Sequence, residues 1–146
     1  MSPVSGAILF DEEPVSMVFV QEILNRSDRD FATRAFGIWL LREKVADRII
    51  GFCGLRDFHD FDDVEILYAL SESTWHRGYA LEAAQAVIAY ALDSLGLPRV
   101  IGVIDVPNHA SWRVLERVGM VEFRPPQARS CFRYAMASRA AATGER

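Results

Sequence analysis

A turn that could hold a phosphate lies at residues 74–80, with the sequence Thr-Trp-His-Arg-Gly-Tyr-Ala. It follows an apolar strand predicted over residues 64–70, and it opens an amphipathic helix. The first backbone N–H groups of a helix lack partners and lie at the positive end of the helix dipole, so this turn favours an anion. Gly78 lets a ligand approach the backbone, and Arg77 adds a positive charge. The expected ligand is a phosphate or a pyrophosphate.

The absence of several known motifs from the sequence limits the kinds of site that are expected. The turn lacks the G-x-x-x-x-G-K-[ST] spacing of a Walker loop, and the dinucleotide fingerprint G-x-G-x-x-G does not occur in the chain. The histidines at positions 59, 76 and 109 and the two cysteines, Cys53 and Cys131, have no zinc-ligand spacing. We therefore predict a phosphate site without a metal, and two reduced thiols.

The elements that position this turn follow from hydrophobic periodicity and from chain breakers. Helices are predicted over residues 16–26, from Gly78 to Gly96, and over residues 108–119, with Ser16 and Asn108 as N-caps. Strands are predicted over residues 36–42, 48–56, 64–70, 99–106, 121–123 and 131–136. The first two strands form a hairpin, and Gly51 and Gly54 predict a bulge or a close backbone approach in its second strand.

The order of these elements predicts an α/β (α+β) fold. A strand–helix–strand crossover between residues 64–70 and 99–106 implies parallel pairing, whereas the hairpin implies antiparallel pairing. We expect three layers, with a mixed central sheet and helices on both of its faces. Residues 1–137 form a single domain in this prediction, and residues 138–146 form a frayed tail.

Composition excludes several classes of protein. A chain of 146 residues has room for one core, and its net charge of −4 argues against broad nucleic-acid binding. We find no apolar stretch as long as a membrane span and no leader peptide, so we expect a cytoplasmic protein that binds neither membrane nor nucleic acid.

Two motifs together resemble those of the GNAT superfamily of acetyl-CoA-dependent N-acetyltransferases. The family's phosphate loop reads [QR]-x-x-G-x-[GA], and residues 75–80 match it with Trp in the first place, as in the branch typified by the ribosomal-protein N-terminal acetyltransferases. The second signature is an Asn that opens a helix ending in Gly and an apolar residue, here residues 108–120. The resemblance covers Phe36 to Met136. It implies a V-shaped splay between the two parallel strands, and acetyl-CoA as the cosubstrate.

The resemblance also assigns the residues that hold acetyl-CoA. A backbone N–H near Leu70 would polarise the thioester carbonyl, and Asn108 would contact the pantetheine arm while it caps its helix. The full set implied for the cosubstrate is Leu70, Trp75, His76, Arg77, Gly78, Tyr79, Ala80, Asn108 and Ser111.

Two side chains are candidates for proton transfer. Glu65 interrupts an apolar strand, where a carboxylate is costly unless it is paired or solvated. It is either a base that acts through water on the amine, as the resemblance implies, or the partner of Arg56 in a structural ion pair. Ser111 is either an acid that hydrogen-bonds the departing thiolate or a hydroxyl bonded back to a carbonyl. Tyr68 and Tyr79 are alternative acids.

The chain departs from the family at two places. Leu115 occupies a position where many members carry a Tyr acid, so that acid is excluded here. About fifteen residues precede the first predicted helix, too few for the family's first strand and helix at about 3.3 Å and 1.5 Å of rise per residue. We therefore expect both elements to be missing. Residues 7–10 (Ala-Ile-Leu-Phe) would extend as an arm onto a second copy in a homodimer or higher oligomer.

These features predict an N-acetyltransferase that uses acetyl-CoA in a ternary complex. The acceptor would be a primary amine: a protein N-terminus, a polyamine or a small molecule. The acidic residues between positions 57 and 63 either attract a cationic acceptor or form a solvated loop. The alternative function is a CoA-binding module that has lost turnover and serves as a sensor or a subunit. Leu115 and the short N-terminal segment favour the module, while Glu65 and Ser111 favour the enzyme.

Overall fold

The computed structural model describes residues 17–58, 63–126 and 128–139, and these contain three α-helices and six strands. The helices are α1 (Met17–Arg34), α2 (Tyr79–Ala89) and α3 (His109–Val118). The strands are β1 (Ile38–Glu43), β2 (Arg48–Phe58), β3 (Asp63–Leu70), β4 (Arg99–Asp105), β5 (Val121–Phe123) and β6 (Phe132–Ser138).

The strands form one mixed sheet in the order β1-β2-β3-β4-β6-β5. Only β3 and β4, of the strand pairs in the described residues, run parallel, and the other neighbours are antiparallel. Helix α2 is the crossover between the two parallel strands, as the sequence order requires. The predicted mixed sheet is therefore confirmed.

The two parallel strands separate soon after they meet. They pair at Val64–Val100 and Glu65–Ile101, and they form no further pair along their described lengths. Beyond this point β3 remains paired with β2 as far as Leu70, and β4 remains paired with β6 as far as Asp105. The predicted V-shaped splay is confirmed, with its closed end at Glu65.

Apolar side chains are buried on both faces of the sheet, as a three-layer fold requires. Helices α2 and α3 cover one face with residues that include Val87, Ile88 and Leu115. A Cβ at Gly102 would lie 2.6 Å from the Leu115 side chain, so the bare backbone of β4 lets α3 approach closely. On the opposite face Leu67, Ala69 and Ile101 are also buried.

Helix α1 packs at the start of β1 and extends eight residues beyond its predicted end at Arg26. The Ser27 hydroxyl is buried and accepts a hydrogen bond from the Ile38 N–H over 2.7 Å. Phe31 lies edge-on against Trp39, with ring centroids 5.1 Å apart. The polar run after Arg26 therefore continues a helix that tertiary contacts stabilise, although its local sequence resembles a helix end.

Two other details concern the strands. A Cβ at Gly51 would lie 2.1 Å from the Ala69 carbonyl oxygen, and one at Gly54 would lie 2.4 Å from the Gly37 oxygen, which confirms the predicted close approach. The register of β1 against β2 also shifts here: Leu41 pairs with Gly51 and Arg42 pairs with Ile49, so Ile50 is an extra residue in β2 and the predicted bulge is present beside Gly51.

The prediction of a frayed tail from residue 138 was wrong at Ser138, because this residue is paired with Arg99 in the sheet. Residues 140–146 and the predicted arm at residues 7–10 lie outside the described residues, and the oligomer stays a prediction.

Candidate active site

The turn between β3 and α2 has an unusual backbone. A single 3₁₀ turn, Glu72–Thr74, follows β3, and α2 then begins at Tyr79. Between them His76 (φ 63°) and Gly78 (φ 80°) both adopt the left-handed conformation, which costs a non-glycine residue about 1 kcal/mol. A Cβ at Gly78 would meet no atom of the described residues within 4 Å, so this side of the turn is open in the described structure. Strain retained beside an open backbone is typical of a ligand site.

The start of α2 supplies hydrogen-bond donors to this open side. The first bond within the helix runs from the Glu82 N–H to the Gly78 carbonyl over 3.0 Å. The N–H groups of Tyr79, Ala80 and Leu81 precede it and have no carbonyl four residues back within the helix. These groups and the helix dipole fit a phosphate.

Side chains around the turn reach back to the sheet. The Trp75 indole N–H donates to the Leu70 carbonyl over 3.0 Å, which ties the turn to the end of β3. The side chains of His76 and Arg77 are exposed. The Tyr79 hydroxyl donates to the carboxylate of Glu43 over 3.1 Å, and Nη1 of Arg77 lies 3.7 Å from the same oxygen.

Glu43 is a residue of this site that the sequence prediction missed. It ends β1 and lies 36 positions before Tyr79, so no local motif connects the two residues. One signal was available. In an alternating strand, Glu43 shares a face with Trp39 and Leu41, and a carboxylate on that apolar face requires a partner.

The open part of the splay is a narrow cleft lined mainly by β3, β4 and α3. Ile66, Tyr68, Val103, Ser111 and Leu115 are among its lining residues. The Ser71 N–H donates to the Ile50 carbonyl in β2. Because N–H directions alternate along a strand, the N–H groups of Leu70 and Tyr68 point the other way, into the gap. The Leu70 N–H, which the resemblance assigns to the thioester carbonyl, therefore lies at the splay.

Ser111 lies in this cleft, where α3 begins. The side chain of Asn108 accepts a hydrogen bond from the Ser111 N–H over 3.1 Å, so the predicted cap is present. The Ser111 hydroxyl is buried and, among the residues that the structure describes, has no hydrogen-bond partner. The hydroxyl of Tyr68 donates to the Ser111 carbonyl over 3.2 Å, and burial raises the pKa of Tyr68 to about 12. Tyr68 is therefore protonated at neutral pH.

Glu65 lies at the closed end of the splay and is only 4% exposed. Its carboxylate accepts a hydrogen bond from Nε of Arg56 over 3.1 Å, so the ion pair considered from the sequence is present. Burial raises the pKa of Glu65, and the neighbouring Arg56 guanidinium partly offsets this rise. Tyr68 and Leu70 lie about 10 Å and 16 Å farther along the strand. Only a water-mediated path could therefore connect Glu65 to a group in the gap.

The acidic residues near position 60 are paired where the structure describes them. Asp57 contacts Arg26 and Arg34, and Asp63 accepts a hydrogen bond from Nε of Arg99 over 2.6 Å. His59, Asp60 and Asp62 lie outside the described residues.

The described residues contain no group of three or more His, Cys, Asp or Glu that could hold a metal ion. No helix among them has both the length and the apolar character to cross a membrane.

Known proteins match both the sequence and the fold. The family described as Acetyltransferase (GNAT) domain matches residues 11–121. The uncharacterised N-acetyltransferase YjdG of Bacillus subtilis is 30% identical over 104 residues, which cover 70% of this chain and 60% of that protein. An acetyltransferase of Agrobacterium tumefaciens superposes with a TM-score of 0.81 at 21% identity, over 92% of this chain and 78% of that one. YncA of Salmonella typhimurium, a structure with its cofactor acetyl-CoA, superposes with a TM-score of 0.67 at 13% identity, over 90% and 79%.

The chain therefore belongs to the GNAT acetyltransferase family, whose domain matches more than half of its length. The structural neighbours establish the fold. The match to YjdG spans about three fifths of that relative's length. The resemblance to the ribosomal-protein branch stays a prediction.

Proposed function

We propose that this protein transfers the acetyl group of acetyl-CoA to a primary amine. One observation carries the proposal: the splay has a donor-rich turn at its open end and, in its cleft, the buried Ser111 hydroxyl, which has no partner among the described residues. A buried hydroxyl without a partner is costly, and a ligand in the cleft would satisfy it. Membership of the GNAT acetyltransferase family also supports acetyl-CoA as the ligand.

The residues present fit acetyl-CoA, which would supply an activated acetyl thioester. The N–H groups that follow Gly78, together with Arg77, would bind its phosphates. Asn108 would contact the pantetheine arm where it enters the gap between β3 and β4. The Leu70 N–H, or that of Tyr68 nearer the closed end, would donate to the thioester carbonyl oxygen.

Two side chains would accept or donate protons during the transfer. Glu65 would take up, through water, the proton that the amine loses, and the ion pair with Arg56 is compatible with this role because it favours the deprotonated form and partly offsets the effect of burial. The Ser111 hydroxyl would donate a hydrogen bond to the departing sulfur. Tyr68 is the alternative donor, since its hydroxyl also lies at the cleft and stays protonated.

The amine has a candidate approach route beside α1. A cavity of about 240 Å³ lies between α1 and the start of the hairpin, and its wall includes Asp30, Ile38 and Arg56. Because Arg56 also contacts Glu65, a group bound here would be one side chain away from the proposed base.

The second candidate is a CoA-binding module without turnover, which Leu115 favours because it replaces the Tyr of many family members. A thiol-release assay with acetyl-CoA over a panel of amines tests both functions. The panel should include peptides with free N-termini, polyamines and small aminated metabolites. Release that depends on an amine supports the enzyme, while CoA binding without release from any amine supports the module.

Replacing Ser111 with alanine should lower turnover by about tenfold and leave the free energy of unfolding within about 1 kcal/mol of the wild type. Stability is retained because the substitution removes a buried hydroxyl that has no partner in the described chain. Steady-state kinetics and denaturant unfolding measure the two effects. Tyr68→Phe is the comparison variant. A large loss in Tyr68→Phe beside wild-type turnover in Ser111→Ala would transfer the acid role to Tyr68.

A further inference from the structure

We propose that Glu43 is a positioning residue for the phosphates of CoA, acting through Arg77 and Tyr79. The inference rests on the proposed function, because it concerns the same turn. Glu43 is only 7% exposed. A carboxylate so deeply buried destabilises the fold unless cations or donors surround it, so its partners are strongly constrained.

The two residues that flank Gly78 both reach this carboxylate. Tyr79 donates to Oε2 over 3.1 Å, and Nη1 of Arg77 lies 3.7 Å from the same oxygen. Across the hairpin, Nε of Arg48 lies 3.8 Å from Oε1. Both flanking side chains are thereby connected to the end of β1. The backbone at Gly78 stays open for a ligand, because a Cβ there would meet no atom of the described residues within 4 Å.

The charges of this cluster leave the turn attractive to an anion. Two guanidinium groups, those of Arg48 and Arg77, surround one carboxylate, so the three side chains together carry a net positive charge. The Arg77 side chain is 53% exposed, and its contact with Glu43 uses one of its three nitrogens. The remaining donors can reach a phosphate. Glu43 thus fixes the direction of a long side chain that would otherwise lose rotamer freedom when it binds CoA.

The test compares Glu43→Gln with Asp47→Asn. Both variants remove one negative charge from the same hairpin, but Asp47 is exposed and contacts Arg42, whose side chain lies on the face of β1 opposite to that of Glu43. The loss of one negative charge should raise the attraction of the protein for phosphates in both variants alike. The difference in CoA affinity between the two variants therefore measures the effect of Glu43 on the position of Arg77 and Tyr79. Affinity for CoA is measured by calorimetry. Affinity for pantetheine, which lacks the phosphates, is measured by NMR titration.

Glu43→Gln should weaken CoA binding by about tenfold, whereas Asp47→Asn should stay within about twofold of the wild type. Neither variant should change pantetheine affinity. In an Arg77→Ala background the further effect of Glu43→Gln should be much smaller, because the two side chains act as a unit. CoA affinity in Glu43→Gln equal to that in Asp47→Asn, or an equal loss for pantetheine, would overturn the inference.

Two controls keep the outcomes distinct. If wild-type protein does not bind CoA, the proposed function fails rather than the role of Glu43 within it. If Glu43→Gln does not fold, as circular dichroism would show, Tyr79→Phe replaces it, since that change removes one hydroxyl from a partly exposed side chain. We expect Tyr79→Phe to weaken CoA binding about threefold with pantetheine unchanged, and unchanged CoA affinity would overturn the inference.

Discussion

Replacing Glu65 with glutamine should lower turnover by roughly 100-fold or more while CoA affinity stays unchanged. The amide keeps the size of the side chain and can still accept a hydrogen bond from Arg56, but it cannot take up a proton. Stopped-flow or steady-state thiol release measures the loss, and calorimetry measures CoA binding. Glu72→Gln is a matched control, because Glu72 is an exposed carboxylate on the turn that follows the same strand. Wild-type turnover in Glu65→Gln would leave Glu65 as a structural partner of Arg56.

The proposed role of Glu65 as a general base also predicts how turnover depends on pH. A general base works only when it is deprotonated, so kcat/KM should fall as the pH falls through the pKa of Glu65. Burial raises this pKa, and the acidic limb of the profile should therefore lie above the range of an exposed glutamate. The limb should disappear in Glu65→Gln. A profile that is the same in both proteins would exclude Glu65 as the group that titrates.

Replacing Gly78 with valine should abolish the stabilisation of the protein by CoA. At a CoA concentration of 100 times Kd the wild-type melting temperature should rise by about 5–10 °C. A β-branched side chain at this position would fill the open side of the turn and cover the first N–H groups of α2. Thermal unfolding with and without CoA measures the shift.

Gly119→Val is the matched control for this variant. Gly119 also has a left-handed φ, 95°, and a Cβ there would likewise meet no atom within 4 Å in the described part of the chain. It caps the C-terminal end of α3, the end opposite to Asn108 and Ser111. Both substitutions should therefore destabilise the free protein to a similar extent, but only Gly78→Val should lose the response to CoA. A full response in Gly78→Val would show that the phosphates bind elsewhere.

Local sequence patterns predicted most of the fold. The turn at Gly78, the Asn108 cap and the alternation of strands and helices around α2 each depend on residues close together in sequence. The end of α1 was missed because Ser27 and Asp28 have low helix propensity and are more typical of caps and turns than of a helix interior. In the structure, the buried Ser27 hydroxyl accepts a bond from the Ile38 N–H, which is not visible in local propensity.

The candidate site was predictable only in part, and for the same reason. Residues 75–80 and 108–111 form contiguous motifs, so their positions follow from the sequence. The contacts of Glu43 with Arg77 and Tyr79 join β1 to the start of α2, and only the folded sheet brings them together. The pairing of Arg56 with Glu65 was predictable because these residues lie opposite each other on neighbouring antiparallel strands.

The splay between β3 and β4 has a consequence for amide hydrogen exchange. The N–H groups of Leu67 and Ala69 point toward β2 and take part in its ladder, whereas those of Tyr68 and Leu70 point into the gap. A buried central strand should therefore show alternating protection, with Tyr68 and Leu70 exchanging faster than Leu67 and Ala69. CoA in the gap should slow the faster pair selectively. Along β3, alternate N–H groups would then belong to the hydrogen-bonded sheet and to the ligand-binding surface.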